Sequence, residues 1–140
     1  MPGHLDAFTD ATGDASWSSI KNYTYSTLKQ VQHSTTGLFP DFITNMDTTP
    51  TPWSEGFEGD YDGDYYYNAC RVPWRIGVHY LATGSPDAKA ILDKMNGWVS
   101  SASGGLANKI APVYKLDGSR IYADVSWTSV AFVAPFGVAA

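Results

Sequence analysis

Glu55 and Glu58 are the only glutamates in the chain, and both lie in the stretch WSEGFEGDYDGDYYYNACRVPWRIG, residues 53–77. Trp53 and Phe57 flank them, the alternating acids Asp60, Asp62 and Asp64 follow, and then come Tyr65, Tyr66, Tyr67 and Asn68. A carboxylate set among aromatic rings is suited to general acid/base work. Tyrosine and tryptophan rings offer flat faces for stacking against sugars, and their polar tips can hydrogen-bond sugar hydroxyls. Trp53, Tyr65, Tyr66, Tyr67 and Trp74 are therefore candidates for a polymer-binding cleft, with one or two of the three tyrosines expected to turn into the core. Arg71 and Arg75 are four apart and share a helix face, where they could fork onto a ligand or hold the acidic loop. The ingredients are those of a site that binds and cuts a polar polymer.

Other chemistries find no support. The run DYDGD resembles part of a calcium loop, but no bidentate glutamate follows at the required place, and a solvated turn is the expectation. His79 continues the arginine face, while His4 and His33 are distant in sequence, so no metal ligand set is expected. Cys70 is the single cysteine and reads as a buried thiol. No glycine-rich phosphate loop, Gly-x-Ser-x-Gly elbow or paired-cysteine pattern occurs, and no cofactor is expected.

The elements that must position these residues read as mainly α. A short helix over Leu5 to about Thr12 ends at Gly13, which suits a left-handed C′ position. Asp14 or Ser16 can cap a second helix reaching about Gln32, with Trp17, Ile20, Tyr23 or Thr24, Leu28 and Val31 as its apolar stripe. Residues 34–64 form a loop of about 30 residues rich in Pro and Gly; such length points to function, and its aromatics favour an ordered one. A third helix should run from near Asn68 to Ala82, with Pro73 in its first turn. Ser85-Pro86-Asp87 starts a fourth, which buries Ile91, Leu92, Met95, Trp98 and Val99. VYKLDGSRIYAD resembles a small hairpin turning at Asp117-Gly118. Ser126 or Thr128 can cap a last apolar helix, kinked or interrupted near Pro135. Adjacent helices in pairs make helical hairpins the class, with a long ordered loop and a small β-hairpin.

The 140 residues are read as a single domain, and 44% hydrophobic content is enough to build a core. A net charge of −5 argues against nucleic acid or an anionic membrane as partner, because phosphates need a basic surface. No segment is apolar over the roughly 18 residues of a membrane span. The first ten residues lack the basic and apolar regions of a signal peptide and read as the interior of a helix.

The segments TGDASWSSI, TGLFPDF, ACRVPWRIG and VAPFGVAA, in that order, resemble glycoside hydrolase family 8, whose members include endo-β-1,4-glucanases, lichenases, chitosanases and some xylanases. The resemblance covers most of the chain and implies the C-terminal half of an (α/α)6 toroid around a cleft for a β-1,4-linked glycan. It also implies cleavage of internal linkages with inversion, in which one carboxylic acid protonates the leaving oxygen and a second carboxylate, about 6.5–9.5 Å away, activates water. Many members carry an aspartate base where this chain has Asn68, and an amide cannot take that proton. Members with asparagine there resemble a subgroup whose base is a glutamate in the preceding inserted loop. Glu58 matches that place, with Glu55 and Asp62 as alternatives. Nothing in the chain matches the family's proton-donating glutamate. The resemblance further implies a secreted protein acting on a β-glucan, and exposed apolar surface predicts a homo-oligomer that completes the missing half of the toroid.

Overall fold

A computed structural model describes residues 1–124 and 126–140. Helices α1 (Pro2–Thr12) and α2 (Ser16–Val31) form one antiparallel pair, and α3 (Val72–Thr83) and α4 (Pro86–Ser103) a second. Helix α5 (Val130–Ala139) packs chiefly on α3. The local stop signals act as their chemistry dictates. Gly13, Gly84 and Gly104 are all left-handed, and each donates its N–H back into the last helical turn. The Ser85 hydroxyl accepts from the Ala88 N–H, and the Asp14 carboxylate accepts from the Ser16 N–H at 2.8 Å. The molecule is mainly α, built of helical hairpins.

The structure departs from the sequence pattern at five places. Along α2 the buried side chains are Tyr25, Thr27 and Val31, while Ile20 and Tyr23 are 46% and 53% exposed. The Tyr25 hydroxyl reaches buried His79 on α3, a hydrogen bond that fixes which face of α2 turns inward. Helix α3 starts at Val72 rather than Asn68, because a 3₁₀ turn, Ala69–Arg71, comes first. The expected hairpin at 113–124 is reduced to a turn at Asp117-Gly118 with isolated bridges from Tyr114 to Arg120 and to Tyr65. The two-stranded sheet lies instead in the long loop, where β1 (Ile43–Thr44) pairs antiparallel with β2 (Thr51–Pro52). Helix α5 begins after Ser129, past both proposed caps, and includes Pro135.

The core runs from Leu38 and Phe39 through Tyr65 to Ile91, Met95 and Val113, closed by Phe132 of α5. Helices α3 and α5 approach closely at Gly77, where an added Cβ would lie 3.0 Å from the Val138 carbonyl oxygen. The long loop is ordered by main-chain bonds. The Asp41 N–H donates to the Asp64 carbonyl and the Phe42 N–H to the Asp62 carbonyl, both at 2.9 Å, while the Trp53 N–H donates to the Phe42 carbonyl at 3.0 Å. The segment 41–44 thus lies between 51–53 and 62–64, and the whole acidic bend is stitched to it.

Candidate active site

Two aspartates with inward-turned carboxylates build the site from the backbone outward. Asp62 is only 5% exposed, and its carboxylate accepts from the N–H groups of Phe57, Glu58 (2.9 Å) and Gly59 (3.1 Å). It folds the acidic bend around itself. Asp41 does the same for the turn leading into α3, accepting from Tyr66, Asn68 and Ala69. Burial pushes the Asp41 carboxyl above the usual aspartate value, with the three N–H donors acting in the opposite sense.

Glu58 and Asn68 meet between these two anchors. The Asn68 side-chain N–H donates to Glu58 Oε2 at 2.9 Å, and its carbonyl oxygen accepts from the Arg71 guanidinium at 2.5 Å. Arg71 also donates from Nε to the Asn68 main-chain oxygen at 3.4 Å. The amide therefore joins a carboxylate to a guanidinium and restrains both. Glu58 is exposed and borders a hollow of about 350 Å³ shared with Asp41, Tyr61, Tyr66 and Tyr67. The wall of the hollow is aromatic. Tyr66 stands 5.2 Å from Tyr61 and 5.0 Å from Tyr67, ring centre to centre, and its hydroxyl meets that of Tyr122 at 3.1 Å. That hydrogen bond, followed by burial, pushes the Tyr66 phenol up to about 12.

The remaining candidates divide. Tyr65 is fully buried, with its ring edge-on to Phe132 at 5.8 Å, so it cannot stack on a substrate: it is the inward-turned member of the tyrosine run. Asp62 as an alternative base is likewise corrected, since the N–H donors of its own bend occupy its carboxylate. Glu55 is exposed on the bend, outside the group lining the hollow. Trp53 is half-buried on the other side of the bend, edge-on to Phe57 at 6.3 Å. Trp74 lies in an apolar groove of about 420 Å³ between α3 and α5, its ring covered by the Arg75 guanidinium at 3.9 Å. Arg75 makes no hydrogen bond to the acidic loop among the described residues, while Arg71 is joined to it through Asn68. Among the described residues neither arginine forms a salt bridge with a carboxylate, and no cluster of three His, Cys, Asp or Glu is placed to hold a metal ion. Asp41, Tyr61 and Tyr122 complete the site without having been singled out. Asp41 stands 27 residues before Asn68, and nothing in its neighbours marks a loop aspartate as a remote cap.

The carboxylate pinned by an amide thus stands at the edge of a tyrosine-walled hollow, on a scaffold of helical hairpins. Over 144 aligned positions the chain is 43% identical to the beta-glucanase of Niallia circulans, an alignment spanning 100% of this chain and 34% of that protein. It is 36% identical to an endoglucanase of Bacillus sp. strain KSM-330, over 97% of this chain and 29% of the relative. The solved beta-1,3-1,4-glucanase of Paenibacillus sp. X4 superposes with a TM-score of 0.91 at 41% identity, over 99% of this chain and 37% of that one. Rex8A of Paenibacillus barcinonensis, at 18% identity and a TM-score of 0.73, shares the fold. No protein-family model matches the chain. The chain belongs to glycoside hydrolase family 8, where it corresponds to the C-terminal part of longer proteins built as (α/α)6 toroids. It spans about a third of the length of the relatives it matches.

Proposed function

We propose that this chain supplies the water-activating side of an inverting endo-β-1,4-glucanase site, with Glu58 as general base. The observation that carries the reading is the 2.9 Å bond from the Asn68 amide to one Glu58 oxygen, which restrains a carboxylate that lines the tyrosine-walled hollow and leaves its second oxygen unused by that bond. In the proposed step Glu58 takes a proton from water as the water oxygen attacks the anomeric carbon. A separate carboxylic acid gives its proton to the departing glycosidic oxygen. Tyr66 and Tyr67 support the sugar rings, and Asn68 with Arg71 keeps the base oriented. Names of relatives such as endoglucanase and beta-1,3-1,4-glucanase support a β-glucan as the polymer, cut internally; secretion is part of the same proposal. With the apolar faces of α3 and α5 open, a second copy of the chain is the proposed partner that covers them.

Hydrolysis of lichenan and carboxymethylcellulose by wild type and Glu58→Gln tests the assignment. Removing a general base costs roughly 10²–10⁴-fold in rate, so the variant should fall by that amount. Equal and measurable release of reducing ends by both would remove Glu58 from the role. The second reading, a glycan-binding chain that does not cleave, is favoured by the match to only a third of each relative. Retardation in a glucan-containing gel with no new reducing ends would select it.

A further inference from the structure

We propose that Asp41 is the positioning residue of the Glu58–Asn68 pair, acting through the main-chain N–H of Asn68. The inference rests on Glu58 being the base. Asp41 uses its two oxygens differently. Oδ1 accepts from Tyr66 at 2.9 Å and from Ala69 at 2.7 Å, whereas Oδ2 accepts from Asn68 alone, at 2.9 Å. Three N–H groups at the entrance to α3 are thereby gathered on one half-buried carboxylate from a distant part of the chain. Asp41 is itself fixed, because its own N–H donates to the Asp64 carbonyl while the next residue, Phe42, donates to the carbonyl of Asp62. Asp62 is the residue whose carboxylate holds the Glu58 side of the pair. Each member of the pair is thus pinned by one aspartate, and the main chains around the two aspartates are bonded to each other. The Glu58–Asn68 separation follows from this frame, while Glu58 itself is exposed and has little packing to hold it.

The unequal use of the two oxygens makes the idea testable with a near-isosteric change. In Asp41→Asn the single remaining oxygen is best spent on the two donors at Oδ1, which leaves the amide NH₂ facing the Asn68 N–H. Two donors then confront each other, and Asn68 must move.

The test is a cycle read by ¹⁵N NMR on the 140-residue chain, following the Asn68 side-chain amide signal. Glu58→Gln should shift that signal in the wild-type background and shift it at least about threefold less in the Asp41→Asn background, the signature of a lost pairwise coupling. Equal shifts in the two backgrounds would overturn the proposal. Should Asp41→Asn fail to fold, hydrogen exchange on the wild type decides. The Tyr66, Asn68 and Ala69 main-chain amides should exchange at least about tenfold more slowly than in an unstructured peptide, and an Asn68 amide at the unstructured rate would overturn the proposal. Neither readout needs hydrolysis, so failure of the base assignment shows in sugar release and failure of this one in the spectrum.

Discussion

Asn68 cannot take a proton, but its amide presents a donor to one side and an acceptor to the other, which links Glu58 to Arg71. The carboxylate that does most to shape the bend is Asp62, and it is inaccessible. Replacing Asp62 with alanine leaves the N–H groups of Phe57, Glu58 and Gly59 without their acceptor inside a folded loop. Unsatisfied groups of this kind cost about 1–3 kcal/mol, so urea denaturation should show a loss in that range for Asp62→Ala. Glucan binding should weaken with it, because Glu58 loses its main-chain anchor. A stability within about 0.5 kcal/mol of wild type, the range of ordinary surface substitutions, would contradict this role. At this scale the sequence was readable where the signal was local. Glu58 and Asn68 are ten residues apart in one motif. The identical neighbours Tyr65, Tyr66 and Tyr67 could not be told apart, because only the Tyr114 bridge and the Phe132 ring determine that Tyr65 turns inward.

Between elements, the first three helices are tied by one polar chain. The Asp6 carboxylate of α1 accepts from Lys21 of α2 and from His79 Nε2 of α3, the latter at 2.8 Å. Because the carboxylate can only accept, His79 carries its proton on Nε2, and a neutral ring uses Nδ1 to accept from the Tyr25 hydroxyl at 2.5 Å. The Lys21 hydrogen bond, with that of His79, holds the Asp6 carboxyl below the ordinary aspartate value of 3.8. A carboxylate depressed in the fold contributes stability above its unfolded value, and that stability is lost as pH falls through the depressed one. The difference in stability between wild type and Asp6→Asn should therefore be fully present at neutral pH and shrink below about pH 4. Urea denaturation at pH 7 and pH 3 checks this, and a difference that grows in acid would refute it. The helix ends at Gly13, Gly84, Ser85 and Gly104 were legible because glycine and serine caps act within one turn, whereas the starts of α3 and α5 were not. The buried face of α2 was not, because a contact with His79, 54 residues away from Tyr25, selects it. The sheet escaped for a related reason: β1 and β2 are two residues each, too short for alternation to show.

For the whole molecule, the telling surface is the exposed apolar one on α3 and α5. Trp74, Val78 and Leu81 recur along one exposed face of α3, and Val130 and Val138 lie on the open side of α5. Leu81 and Val130 are 73% and 79% exposed, well beyond what a scattered surface residue needs explaining. Helix α5 is apolar along its length and spends only part of that character on the core, where Phe132, Pro135, Phe136 and Ala139 are buried. A specific dimer interface removes roughly 1,200–2,000 Å² from water, and a two-fold arrangement would set the same helices of each copy against one another. Sedimentation of the purified chain should give a mass above the 15.2 kDa of one copy. The double variant Val78→Asp, Val138→Asp places a carboxylate on each helix where the interface would exclude water, a desolvation cost of several kcal/mol per charge. Its association should weaken at least about a hundredfold, equivalent to about 2.8 kcal/mol, while its helical circular dichroism stays unchanged because both positions are exposed in the single copy. A wild type that sediments as a monomer at tens of micromolar, or a double variant that still associates, would show that these two helices do not carry the contact.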